Sequence, residues 1–120
     1  MAGKVITSEE IARSRSFSPA VKAGPFVYVS GAAPFDGSKD MQGQATEVFE
    51  YISRVLAEAE YSLTDVVKVQ AFIASAENYS EYNRVRRNYF PKDPPASTTV
   101  VASLALPEWL VEVEVVAYKE

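Results

Sequence analysis

Apolar residues recur along this chain with two periods, and each change of period marks an element. In ATEVFEYISRVLAEAEY, Ala45, Val48, Phe49, Ile52, Val55, Leu56 and Ala59 fall three and four residues apart, the stripe of an amphipathic helix. Elsewhere the period is two. FVYVSG sets Val27 and Val29 against Phe26, Tyr28 and Ser30. VVKVQAFIAS sets Val67, Val69, Ala71 and Ile73 against Lys68, Gln70 and Phe72. LVEVEVVAY sets Val111, Val113, Val115 and Ala117 against Glu112, Glu114 and Val116. All three predict strands with one aliphatic face. After FPKDPP a further strand runs from Ser97 to Leu104, with Ser97, Thr99, Val101 and Ser103 on one face and Thr98, Val100, Ala102 and Leu104 on the other. The first of these faces is hydroxyl-rich and uncharged.

Punctuation residues supply the rest. The segment to about Ser16 is polar, with a short strand-like start in KVIT, and FSPAVKAG reads as an edge or irregular strand because of Pro19. Residues 32–43 carry two glycines, a proline and Asp36-Gly37 and predict a loop; residues 62–65 predict a turn. A second helix starts at Asn78 as N-cap, with Glu81 at the capping-box position, presents Tyr82, Val85 and Tyr89 inward, and ends before Pro91. LPEW makes a turn before the last strand. No internal repeat or low-complexity stretch appears, so residues 1–120 read as one α+β domain, a sheet with two helices on its aliphatic face. The opposite face, with Phe26, Tyr28, Ser30, Phe72, Ser97, Thr99, Val101 and Glu112, is too apolar for open solvent and too polar for a dry core. It predicts burial against another copy of the chain, with the polar groups gathered at a cleft.

Composition narrows the chemistry. A chain of 120 residues, 48% hydrophobic and 23% charged, can bury a real core. No apolar run approaches a membrane span and none resembles a secretory h-region, so a cytoplasmic protein without membrane contact is expected. A net charge of −4 argues against a nucleic-acid partner, and the cluster Arg84, Arg86 and Arg87 reads as a solvated helix face, the alternative being a phosphate or RNA patch. The chain has no cysteine and no histidine. That removes disulfides, thiol nucleophiles, zinc sites of the usual ligand sets, Ser-His-Asp triads and imidazole bases. There is no G-x-G-x-x-G or P-loop, and DGSKDMQG lacks the order of a calcium loop. No metal and no cofactor is expected. The remaining acid–base groups are Glu, Asp, Lys and Tyr, which suits chemistry needing a carboxylate, a water and positioned dipoles.

The order ββαβαββ with these landmarks resembles the RidA/YjgF (YER057c/UK114, reactive intermediate deaminase) family over residues 17–118. FSPAVKAGPFVYVSG is similar to the family's opening turn and the strand ending Ser-Gly. QATEVFEYISRVLAEA with LTDVVKVQAFIAS resembles its first helix and third strand. EYNRVRRNYFP places an Asn as in its second helix, and PPASTTVVASLALPEWLVEVEVVA resembles its tail. The resemblance implies a chorismate-mutase-like subunit, a homotrimer with a cleft at each interface, and hydrolysis of 2-aminoacrylate and related enamines or imines to 2-oxo acids and ammonia.

By the same resemblance Glu112 holds or activates the attacking water; the alternative is an ordinary polar-face Glu, which is the reading for Glu114. Ser30 and Gly31 form the pocket floor or merely a strand-ending turn. Asn83 shapes the cleft or is a helix-surface amide. Tyr79 is a pocket aromatic or packs on its helix. Ser97 and Thr99 line the pocket as neutral hydrogen-bonding groups or reflect strand propensity. Trp109 anchors an interface or fills the core. Two departures stand out. The family's carboxylate-gripping Arg is Ser97 here, or Ala96 in a shifted alignment, and its pocket Tyr is Phe17, which lacks the hydroxyl. Arg13 or Arg15 is a candidate replacement charge, the alternative being a solvated segment. Three functions follow: a deaminase with altered substrate preference, a non-catalytic trimer binding a small metabolite, and, least supported by charge and the lack of His, an RNase or translation inhibitor.

Overall fold

In the computed structural model, which describes residues 3–8, 11, 14 and 16–120, strands β1 (Lys4–Ile6), β2 (Ala20–Ala23) and β3 (Phe26–Ala32) are followed by helix α1 (Met41–Glu58) and strand β4 (Val66–Ile73). Helix α2 (Tyr79–Tyr89) and strands β5 (Ala96–Val101) and β6 (Val111–Tyr118) complete the chain. The strands form one six-stranded mixed sheet in the order β1-β2-β3-β6-β4-β5. β4 and β5 run parallel, with α2 in the crossover between them; every other pairing is antiparallel. The predicted α+β architecture with both helices over the aliphatic face is the one found, and KVIT adds a short edge strand.

The core lies between that face and α1. Val27, Val29, Val69, Ala71, Val113, Val115 and Ala117 meet Val48, Phe49, Ile52, Val55 and Leu56, all buried. Each fully buried large aliphatic or aromatic contributes about 1.5–3 kcal/mol. Phe49 also orders α2: its ring lies 6.2, 5.2 and 5.8 Å from those of Tyr82, Tyr89 and Phe90. The Tyr89 hydroxyl donates to Glu50 on α1 at 2.8 Å. The helix that carries Asn83 is therefore fixed to the layer beneath it.

Five details depart from the sequence expectations, each for a local reason. Helix α1 begins at Met41 rather than Ala45, because the Asp40 carboxylate accepts from Gly43 N–H at 2.9 Å and caps the first turn despite its glycine. The cap before α2 is Ser75, which accepts from Glu77 N–H and starts a 3-10 turn over Ala76–Asn78; the Asn78 side chain makes no cap bond. Glu81 pairs with Arg84 at 2.6 Å instead of closing a capping box. A bulge between Val66 and Lys68 turns Val66 into the core and leaves Val67 exposed.

The fifth concerns β5. It ends at Val101, short of Leu104, and its parallel register sets Ser97, Thr99 and Val101 beside Val69, Ala71 and Ile73. Those three residues thus share the helix-side face. They do not share the face of Phe72 and Glu112, as the sequence pattern suggested; Ala96, Thr98 and Val100 do. Alternation defines two faces of a strand, but only pairing says which one meets the core. On the uncovered face, Phe26 packs against Tyr28 and Tyr118, and Tyr28 stays 48% exposed.

Candidate active site

Strand β3 carries a bulge where it leaves the core. Its register with β6 passes from Val29↔Val115 to Ala32↔Val113, so one extra residue is accommodated around Ser30 and Gly31. Val29 and Ala32 both remain buried, and Gly31 is turned outward against the side chain of Glu112. A Cβ at Gly31 would overlap the Glu112 carboxylate and lie 3.2 Å from its Cδ. Glycine here serves close approach, not an unusual backbone angle.

Glu112 and Gly31 line a cavity of about 530 Å³ together with Phe17, Phe35, Tyr51 and Trp109. The Glu112 carboxyl is half-buried and receives no hydrogen bond or ion pair from any described residue. Burial raises its pKa above the ordinary carboxylate value, and the like charge of Glu114 adds to the rise. Ser30 stands behind this wall. Its hydroxyl donates to the Ser18 carbonyl at 2.6 Å, and its N–H to the Pro19 carbonyl at 3.0 Å. Its donor is thereby committed to holding the segment that presents Phe17. Gly31→Ala is expected to displace the Glu112 carboxylate while leaving the strand paired: Tm changes little, and any activity that depends on Glu112 falls by at least tenfold. Unchanged activity would show that the close approach has no functional weight.

The loops that wall this cavity are clamped by one residue. Apart from tyrosines, Gln44 on α1 is the one buried polar side chain among the described residues. Its Nε2 donates to the carbonyls of Gly37 (3.3 Å), Lys39 (3.0 Å) and Glu108 (3.0 Å), and its Oε1 accepts from Leu110 N–H at 2.7 Å. Glu47, one turn further on, accepts from the N–H groups of Phe35 and Asp36 and from Lys39.

Asn83 and Ser97 lie elsewhere. They line a second cavity, of about 510 Å³, with Arg86, Arg87, Phe90 and Pro91, and no residue lines both cavities. Arg86 Nη1 donates to Ser97 Oγ at 2.7 Å, Nη2 donates to Asn83 Oδ1, and the guanidinium stands 5.4 Å from the Tyr82 ring centroid. Burial pushes the Tyr82 phenol up to about 12, against the opposing pull of Arg86. Tyr79 is 43% exposed and lines neither cavity, and neither does Thr99. Arg13 and Arg15 lie outside the described residues. The reading of Arg84, Arg86 and Arg87 as one solvated face holds for Arg84 and Arg87, which are exposed, although Arg87 also lines the cavity; Arg86 instead folds back across α2. Its sequence signal was its place three residues after Asn83, on the same side of a helix. Phe35 and Tyr51 of the first cavity were not picked out either, because a loop aromatic and a helix-flank Tyr look like packing residues.

The family model described as Endoribonuclease L-PSP matches residues 7–119, nearly the whole chain. The chain belongs to the YjgF/RidA family. It is 41% identical over 111 residues to Protein MMF1, mitochondrial, of Saccharomyces cerevisiae, covering 88% of this chain and 76% of that one. It is 35% identical over 108 residues to the 3-aminoacrylate deaminase RutC of Acinetobacter baylyi, covering 85% and 86%. A solved member of the YjgF/YER057c/UK114 family from Mycobacterium tuberculosis superposes with a TM-score of 0.84 at 28% identity, covering 97% of this chain and 98% of that one. Within this YjgF/RidA chain five of the expected site residues thus fall into two separate groups, Phe17, Gly31 and Glu112 in one cavity and Asn83 and Ser97 in the other, while Ser30, Tyr79 and Thr99 line neither. Among the described residues no group of three or more His, Cys, Asp or Glu side chains is placed to hold a metal, and no helix is long and apolar enough to cross a membrane.

Proposed function

We propose that this YjgF/RidA protein is a hydrolytic deaminase of an enamine or imine. The observation that carries the reading is Glu112: a carboxylate in a cavity, unpaired by any described residue, with a raised pKa. A carboxylate so placed can hold a water and take its proton as the water adds to the C=N carbon, giving a carbinolamine. The same carboxyl returns that proton to nitrogen, then takes the proton of the new hydroxyl and passes it to the same nitrogen. The C–N bond breaks, ammonia leaves and a carbonyl compound remains. An enamine first tautomerises to the imine. Its similarity to a 3-aminoacrylate deaminase supports the reaction class.

The two cavities become one site when copies of the chain assemble as a trimer, with Glu112 of one copy facing Asn83 and Ser97 of the next. The aromatic cluster on the uncovered sheet face supports such an interface. Ser97 in place of the family Arg favours a second reading, a trimer that binds a metabolite without turning it over. Ammonia and carbonyl release from freshly generated imines, with and without a carboxylate, distinguishes them. Acceleration that Glu112→Ala removes without changing the mass in solution supports the deaminase. Binding without acceleration supports the second reading, and a monomeric mass sinks the shared site.

A further inference from the structure

The cavity beside α2 holds a positive charge that no described residue neutralises. The ion pairs among the described residues are Lys39–Glu47 and Arg84–Glu81; neither involves Arg86 or Arg87, and no carboxylate lines the cavity. Arg86 is held in place from three sides, by Ser97 Oγ, Asn83 Oδ1 and the Tyr82 ring. Those contacts engage two of the five N–H donors of a guanidinium, so three remain. An arginine in the last turn of a helix ordinarily serves the exposed carbonyls there. The hydrogen bonds of Arg86 run instead to a side chain one turn back and to β5. Apart from the exposed Arg87, the remaining walls, Phe90, Pro91, Pro94 and Pro95, are apolar and stiff, and the prolines offer no N–H. A fixed guanidinium against an apolar wall suits an anion that carries an apolar group.

We propose that Arg86 grips the carboxylate of the ligand, and that Phe90 and the prolines receive an apolar group attached to it. The charge is thus supplied from α2, and Ser97 orients it from the strand where a longer residue would block its reach. The ligand class is an apolar monocarboxylate. Joined to the deaminase reading, on which only the word substrate rests, this makes the substrate an imino or enamino acid with an apolar side chain. A planar carboxylate accepts two parallel N–H bonds from a guanidinium, which a lysine ammonium cannot reproduce.

The test is titration of the full-length protein with benzoate and phenylpyruvate, with inorganic phosphate and benzyl alcohol as controls, on wild type, Arg86→Gln and Arg86→Lys. Thermal denaturation and mass in solution check the fold of each. Loss of a charge-assisted pair should weaken carboxylate binding roughly 10- to 100-fold in Arg86→Gln, less in Arg86→Lys, and leave benzyl alcohol unaffected. Equal benzoate affinity in wild type and Arg86→Gln overturns the proposal, as does wild-type binding of phosphate but no carboxylate, or of neither. If Arg86→Gln fails to fold, Arg86→Lys decides, and an unchanged affinity there also overturns it. Carboxylate binding through Arg86 without imine turnover leaves this inference standing and removes the deaminase reading; turnover insensitive to Arg86 does the reverse.

Discussion

Glu112→Gln is expected to lower kcat for imine hydrolysis by about 10²- to 10⁴-fold, the range in which a positioned general base contributes, without lowering Tm at neutral pH. The two halves of this result have one cause. Burial and the neighbouring Glu114 raise the Glu112 pKa in the folded chain. Folded protein therefore holds that proton more tightly than unfolded protein does. Stability from this group is complete below the unfolded carboxylate pKa and is lost as pH rises through the folded one. Glutamine removes the loss, so the variant should equal or exceed wild type in Tm at pH 7, and the gap should close in acid. Activity runs the other way, because the base must be ionised. Wild-type kcat/KM should fall on acidification with a limb above the ordinary carboxylate range, and Glu114→Gln should move that limb to lower pH. A Glu112→Gln variant with near-normal kcat would end the base assignment.

The second large effect concerns stability. Gln44→Leu keeps much of the side-chain volume but strands the carbonyls of Gly37, Lys39 and Glu108 and the N–H of Leu110, which Gln44 bonds. A buried polar group left without a partner costs about 1–3 kcal/mol. Even with some of the four reaching water, a loss of about 3 kcal/mol or more is expected, a drop on the order of 10 °C in Tm. The chain has one tryptophan, and Trp109 sits between Glu108 and Leu110, so its fluorescence reports directly on the clamp. Loss of stability with a red-shifted emission is the expected pair. A change below about 0.5 kcal/mol, the scale of ordinary surface substitutions, would show that the loops are held by other means.

What the sequence made legible was whatever periodicity encodes. The inner faces of β3 and β6 and the stripe of α1 follow directly from alternation and helical spacing, and Glu112 sits on the face its alternation assigned. What it hid depends on pairing. The helix-side placement of Ser97 and Thr99 comes from the parallel register with β4, and the exposure of Val67 from a bulge; neither leaves a mark in the residue pattern. Gln44 falls on the inner stripe of α1, but two of its four partners, Glu108 and Leu110, come from a loop far along the chain, so no local signal exposes its role as a clamp between loops. Arg86 was obscured because a charge on a helix usually points to water, and its contacts with Ser97, Asn83 and the Tyr82 ring show otherwise.

Strand β5 stands at the margin of the sheet, with six residues and no charge among them. A margin of this kind offers unpaired backbone groups that any similar strand can join, and proteins that keep one exposed tend to accrete into fibrils or precipitates. Two features limit that hazard here. Pro94 and Pro95, directly ahead of the strand, have no N–H and so end the template at its first residue. Beyond Val101 the chain leaves the strand, the Ala102 N–H bonding back to the Ile73 carbonyl. The proline pair thus serves colloidal solubility as well as the cavity wall: it holds the exposed template to a length too short for runaway association.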